Sequence, residues 1–389
     1  MSESGINEPG QPRGVTLTRR RVMVGMAGVA ASGLVGPLLR APSASAASAT
    51  VQVSLPADVL SKSVPVNLGS ALHGSAFNLP RQALDVVSDL RLRLVRDRLV
   101  PGVLNQQRAL EGLAKLGVKV QGIAAFPGDD EECVRRRVAV AARWPGVVTS
   151  VGYDSAVRDT RPESVDWLRQ ALRSRRELRG HAVREHHAAT RRPGAEAISA
   201  ASSAVDFPTW FESLDQTDSG IAAPRAWLSQ VSSAATSGEN ALDYDWTLFG
   251  ARSGLVRTGG DVTTGRWHRT SAYEALRNLL RLADEEPGDA PAAPPPRTIT
   301  IDTPAAVRSL AARTSGGRLV IAFWLPVTPG RPVTGGPEHT VRVTLDGRSR
   351  LETHLPSLGS SAVRTSVGDS WDFPVRDHAV VCTAGPGRS

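Results

Sequence analysis

Between residues 64 and 183, short apolar runs alternate with stretches whose apolar positions recur every three to four residues. Runs of the first kind read as buried strands and those of the second as amphipathic helices. The pattern predicts strands over residues 64–69, 91–99, 118–126 and 147–153. Helices are predicted over 79–90, 105–117, 129–144 and 162–178. In the last of these, Val165, Leu168, Leu172 and Leu178 fall near one face and arginines on the other. Asp129-Asp130-Glu131-Glu132 opens the third helix, where acidic side chains favour the positive end of the helix dipole.

Repeated strand–helix units imply parallel strands joined by right-handed crossovers, in either an open doubly wound sheet or a closed barrel. Gly69-Ser70-Ala71-Leu72-His73-Gly74 after the first strand does not fit GxGxxG, which disfavours a dinucleotide-binding sheet. The expected fold class is therefore α/β, a (β/α)8 TIM-type barrel over residues 50–284. One or two of its units read as eroded, because residues 184–240 are small, polar and weakly periodic. Within them, VDFPTWFESLD (205–215) reads as a strand end with a loop. A strand is predicted again over 241–250 and a helix over 271–284. The proline- and alanine-rich stretch 285–297 reads as a stiff linker. Beyond it, short alternating segments separated by Gly, Pro and Asp predict an antiparallel β-sandwich over 298–386.

The first residues change the picture of where the protein works. Arg19-Arg20-Arg21 precedes an uncharged run from Val22 to Leu39, followed by Ala44-Ser45-Ala46 and Ala47-Ser48-Ala49. Paired arginines, a moderately apolar run and A-x-A sites read as a twin-arginine export signal over residues 1–49, with the protein secreted or extracytoplasmic. An ordinary secretory signal or an uncleaved anchor are the competing readings. No later segment is apolar for the length of a membrane span, so no membrane association is expected after cleavage.

The formal charge is +8, but residues 1–46 hold five Arg and two Glu, which leaves the remainder near +5. Lysine occurs only at 62, 115 and 119, so this charge is almost entirely arginine. It is not clustered with aromatics, and no nucleic-acid partner is expected. Cys133 and Cys382 are the sole cysteines and have no CxxC spacing, so neither a disulfide scaffold nor a metal site is indicated. No cofactor is expected.

Four short motifs stand out: His268-Arg269-Thr270-Ser271-Ala272-Tyr273-Glu274-Ala275-Leu276-Arg277-Asn278, RLVRDRLVPG (93–102), GRLVIAFW (317–324) and VRDHAVVC (375–382). They resemble, respectively, the closing barrel helix, the second barrel strand and two strands of the following sandwich in secreted clan A glycoside hydrolases of actinobacterial type. The resemblance implies a Glu after an Asn at the end of the fourth strand and a second Glu ending the seventh. Here the fourth strand ends Gly152-Tyr153-Asp154-Ser155, which puts Asp154 at the Asn position and Ser155 at the Glu position. Serine is no proton reservoir near neutral pH, and no Glu stands in a comparable later context. The catalytic glutamates thus read as degenerate.

The remaining candidate carboxylates are Asp154, Glu212 and Asp245, each of which could instead make a local hydrogen bond or an arginine pair. Glu185 beside His186 and His187 lacks a zinc spacing and reads as part of a solvated loop. Tyr153, Trp210, Tyr244 and Trp246 lie near strand ends, where flat rings could cover sugar C–H faces or simply pack. Arg96 could reach a pocket from the second strand, or pair with Asp97 at the surface. The expected partner is a polysaccharide or oligosaccharide. Glycan binding without turnover is favoured over an active glycosidase with a relocated carboxylate pair, and over a non-catalytic envelope-interaction protein.

Overall fold

In a computed structural model of the chain, the described residues are 47–72, 75–154, 162–181, 183–186, 211–237, 246–250, 254–259, 265–284 and 298–385. All belong to one compact unit. The strands are β1 (Ala47–Gln52), β2 (Val66–Asn67), β3 (Leu94–Arg98), β4 (Lys119–Ala125), β5 (Val148–Asp154), β6 (Val183–His186), β7 (Trp246–Thr247), β8 (Phe249–Gly250), β9 (Val256–Arg257), β10 (His268–Arg269), β11 (Thr298–Thr303), β12 (Arg308–Arg313), β13 (Leu319–Trp324), β14 (His339–His354), β15 (Arg364–Val375) and β16 (Val380–Ala384). The helices are α1 (Val59–Lys62), α2 (Pro80–Asp89), α3 (Leu104–Lys115), α4 (Glu131–Arg143), α5 (Glu163–Ser174), α6 (Gln216–Ser237) and α7 (Ser271–Ala283).

The first half of the chain forms a mixed α/β body around a parallel sheet ordered β6-β5-β4-β3-β2-β7. Five successive strands lie side by side in chain order, and the late strand β7 returns to the free side of the first. Among the described residues the sheet is a path of six strands, where eight closing into a barrel were expected. The helices start where the residues predict. Asp130 accepts from the Cys133 N–H at 2.7 Å at the start of α4, and Thr270 accepts from the Tyr273 N–H at 3.2 Å at the start of α7.

Helices α2 and α7 are fastened together by one carboxylate. Asp89, at the end of α2, accepts from the Tyr273 hydroxyl at 2.8 Å and pairs with Arg269, Arg277 and Arg281 at 3.0, 3.5 and 2.7 Å. Burial alone would raise its pKa, yet the tyrosine and the three guanidinium groups hold it below the ordinary carboxylate range. The same carboxylate, after burial, drives the Tyr273 hydroxyl far above its usual pKa.

The second half forms a sheet ordered β1-β11-β14-β16-β13-β12, with β15 paired along β14. Its strand pairs are antiparallel. Residues 339–354 form one long strand, β14, whose pairing with β15 shifts between Thr344 and Ser349. Its first part pairs with β11 and its last residues with β16, so this one strand carries the sheet around the core. The sheet encloses Ile299, Ile321, Val343, Leu351, Phe373 and Cys382, with Phe323 and Phe373 stacked at 5.8 Å. Cys133 is exposed and Cys382 buried, both as free thiols, and burial pushes the Cys382 thiol far above its ordinary pKa. Residues 47–52, expected partly as leader and partly as the start of the barrel, instead pair with β11 in the sandwich.

Helix α6 was not expected, because residues 184–240 lack a helical stripe. It is buried along most of its length, through Ile221, Ala222, Ala223, Ala226, Trp227, Leu228 and Val231. A helix covered on several sides has no polar face, so its sequence carries no 3.6-residue alternation. It runs between the parallel sheet and the sandwich. The Trp227 indole donates to the Leu60 carbonyl at 2.8 Å, and the Trp324 indole of β13 donates to Ser229 Oγ at 2.8 Å. Arg225, only 5% exposed, donates to the carbonyls of Leu325 (2.7 Å), Val333 (2.7 Å) and Asp377 (3.0 Å) in the sandwich half. Burial lowers the guanidinium pKa, and the Asp377 carboxylate opposes that shift. Among the described residues no helix is long and apolar enough to cross a membrane.

Replacing Arg225 with Met should keep the apolar stem but leave three carbonyls unpaired. The expected loss is on the order of 3 kcal/mol, read as a lower urea midpoint for the whole chain.

Candidate functional site

The sheet's two faces differ in chemistry, and the strand register shows how. Trp246, Val66, Val95 and Val120 are lateral neighbours in one row. The next row is Thr247, Asn67, Arg96, Gln121 and Ser150. Because side chains alternate across a strand, adjacent rows point to opposite faces. The apolar row faces the helices: Trp246 packs on Trp227 of α6, with ring centroids 5.5 Å apart, and its indole bonds Gln230. Asp97, two residues beyond Val95, bonds Gln106 of α3 at 3.2 Å. The polar row therefore lies on the face away from the helices. Valines and leucines usually fill that position in such sheets; here five consecutive strands contribute polar groups.

Arg96, Gln121 and Ser150 are 4%, 6% and 5% exposed. Asn67 Nδ2 and Ser150 Oγ are fully buried without a hydrogen-bond partner among the described residues. Buried amide and hydroxyl groups are normally paired, so such atoms mark a place where water or a ligand is received. Further along the same face, toward the strand C-termini, follow Arg98, Ile123 and Gly152 in one row, and then Asp154. Arg98 is held by its guanidinium lying 4.6 Å from the centre of the Phe126 ring. Arg137 approaches the same ring at 4.8 Å and pairs with Asp129, whose carboxylate also accepts from the Phe126 N–H. Arg96, Arg98 and Asp154 each make additional polar or ring contacts.

The loop after β2 is fixed from below by Asp97. This buried carboxylate accepts from the Ser70 N–H (3.1 Å), the Ser70 hydroxyl, the Gln106 amide and the Arg98 N–H (3.0 Å). Burial nevertheless outweighs these donors and raises its pKa to about 6. In β8, just after β7, Phe249 meets Phe77 edge-on at 5.9 Å and Trp267 at 5.2 Å, so the half-buried Phe249 and Trp267 rings follow the end of β7.

Of the residues expected at the site, Arg96 and Asp154 lie on the polar face. Arg96 does not form a surface pair with Asp97, because neighbours along a strand point to opposite faces. Tyr153 lies on the helix-facing side and packs against the core. Trp246, 2% exposed, is a core residue joined to Phe211, Trp227 and Gln230, which accounts for its ring without any ligand. Glu212 is exposed in a short helical stretch preceding α6, and the Phe211 ring beside it packs on Trp246. Trp210, Tyr244 and Asp245 lie outside the described residues. Asn67, Gln121, Ser150 and Thr247 were missed. Each is a lone polar residue in or beside an apolar run, and only lateral register shows that they form a row.

Comparisons with known proteins add little to this. No protein-family model matches the chain, and no curated protein does. Among solved structures the chain is similar to a protein from Bacillus halodurans provisionally named an alpha-N-acetylgalactosaminidase, at 9% identity and a TM-score of 0.37, covering 83% of this chain and 97% of that one. It is also similar to a family 51 alpha-L-arabinofuranosidase from Bifidobacterium longum, at 9% identity and a TM-score of 0.36, covering 86% and 97%. A conserved exported protein from Bacteroides fragilis shares 9% identity at a TM-score of 0.25, covering 79% and 69%. Likeness at this level carries no functional argument, and the reading of the site rests on its geometry.

The raised Asp97 pKa has a definite linkage sign. Its folded value, about 6, lies above the ordinary aspartate value of 3.8. Its contribution to stability is therefore greatest below 3.8 and is lost as pH rises through about 6. The difference is on the order of 3 kcal/mol. Urea unfolding from pH 3.5 to 7 should show this fall in the native chain and a flatter profile in Asp97→Asn.

Proposed function

We propose that the protein is an exported glycan-binding protein with a (β/α)8-type barrel, which receives an oligosaccharide at the C-terminal end of its parallel strands. The observation that carries this reading is the polar row Thr247, Asn67, Arg96, Gln121 and Ser150, three of them buried, with two polar atoms, Asn67 Nδ2 and Ser150 Oγ, buried and lacking partners among the described residues. A polyhydroxylated ligand suits amide, hydroxyl and guanidinium groups converging on one face, with the half-buried Phe249 and Trp267 rings at its margin. The twin-arginine sequence before Val22 supports export.

Binding is favoured over hydrolysis by the carboxylates. Glycosidases place two of them about 5 to 9.5 Å apart across the scissile bond. Among the described side chains, Asp154 is the acidic residue at the end of the fourth barrel strand, while Asp97 faces the helices and Glu212 is exposed. The position of Asp154 is what favours the second reading, an active glycosidase using it with a relocated partner. An envelope-interaction protein without a sugar site would leave the polar row unused.

Two measurements separate these readings. Calorimetric titration with a panel of oligosaccharides should find a ligand whose affinity falls about tenfold, or 1.4 kcal/mol, in Gln121→Ala. Incubation of that ligand with the native chain should release no reducing ends. Hydrolysis that disappears in Asp154→Asn would instead establish the glycosidase.

A further inference from the structure

The antiparallel sheet meets α7 through a short segment, residues 355–360, that follows β14. Its Pro356 carbonyl accepts from the buried Asn278 amide of α7 at 2.9 Å. Two histidines of the antiparallel half grip the same segment. His354 Nδ1 lies 3.2 Å from the Ser360 carbonyl, and His378 Nδ1 lies 2.6 Å from Ser357 Oγ. A carbonyl only accepts, so His354 Nδ1 carries a proton. In the neutral ring its Nε2 then accepts from the Thr383 hydroxyl at 3.3 Å, and both ring nitrogens are used. His354 is 5% exposed, and His378 is half-buried.

Each ring stands near an arginine that itself joins the two halves. Arg225 of α6, whose charge acts on His378, donates to the adjoining Asp377 carbonyl at 3.0 Å. Arg318, whose charge acts on His354, donates to the Leu282 and Asp284 carbonyls at the end of α7, at 3.1 and 2.9 Å. Burial holds both imidazoles below the ordinary histidine value of 6.5, and the two guanidinium groups push them further down. Against this act the Asp377 carboxylate at His378, and Glu352 with the Ser360 and Ser361 backbone at His354. Both carboxylates have other cations to meet: Asp377 pairs with Arg376 at 3.7 Å and Glu352 with Arg350 at 3.1 Å.

Protonation therefore sets a second cation beside each arginine tie, where little water can receive it. At His354 the added proton also takes the nitrogen that accepts from Thr383. Because both folded values lie below 6.5, the histidines' contribution is full above that value and is lost as pH falls through the folded values. Asp97 acts in the opposite direction, so place in the fold tells the two effects apart.

We infer that residues 355–360 form an acid-released latch: gripped by neutral His354 and His378 they seat the antiparallel sheet on α7, and when these rings take up protons the segment lets go. The device is independent of what the parallel sheet binds. Hydrogen exchange of the full chain, corrected for the intrinsic pH dependence of amide exchange, tests it between about pH 7.5 and about pH 5. Peptides covering residues 355–360 and 376–380 should open about tenfold more at the lower pH, while those covering β3 to β5 show no such rise. In the double variant His354→Asn/His378→Asn the rise should vanish. A rise that persists there, or one equal throughout the chain, would overturn the inference. Unchanged protection of the native chain at the two pH values would do the same. Imidazole titration of the native chain by NMR keeps the test open should the double variant fail to fold. The exchange step must coincide with the titration of His354 or His378, and a step that follows neither sinks the latch.

Discussion

Arg225 is a cation almost out of reach of water, and the two halves of the described fold meet around it. It sits on α6, one turn before Ser229, and its guanidinium gathers carbonyls from the segments following β13 and preceding β16. Five donors in a fixed fork suit several carbonyls at once, where an ammonium would serve fewer. The surroundings are apolar: Trp227, Trp324, Val327, Val333 and Val381 lie in one continuous cluster that spans the parallel-sheet half and the antiparallel-sheet half. A buried, multiply bonded cation in such a cluster specifies how the sandwich seats on the helix, because a shifted arrangement would leave the charge unmet. The parallel sheet then inherits its frame, since α6 also supplies Trp227 and Gln230 to Trp246.

The frame matters for function because the polar row depends on register. Shifting one strand by a single residue would turn Arg96 or Gln121 toward the helices and bring an apolar side chain onto the opposite face. The helix side opposes such a shift. Asp97 is bonded by Ser70, Gln106 and Arg98, and these contacts hold β3 at one height. The Asp89 cluster joins α2 to α7, which brings the last helix of the series against the first. Structural polar groups and candidate ligand groups thus sit on the two sides of the same strands, one residue apart.

Much of this frame was legible in the residues. Helices α2 to α5 and the strands between them carry ordinary amphipathic and buried patterns, so their types and order followed directly from periodicity. The fourth strand was legible, with Asp154 at its end, because Val147, Val148 and Val151 make its start apolar and the chain turns polar just beyond Gly152. Helix α6 was not legible. It is covered by the rest of the fold, and its small residues, Pro224 and buried arginine erase the stripe that marks a surface helix. Strand β1 was read as leader and barrel because its partner, β11, lies some 250 residues away.

Local chemistry in the sequence determined the sequence of strand–helix units, the antiparallel strands behind them, and the carboxylate ending the fourth strand. These depend on neighbours within one element, where periodicity, caps and turn residues act. The tertiary structure alone decided that Asn67, Arg96, Gln121, Ser150 and Thr247 form one row, and that Trp246 and Tyr153 belong to packing. It also decided that Ala47 opens a strand of the sandwich. The physical reason is the same in each case: lateral register and burial are set by residues far away in the chain, and no local pattern carries that information.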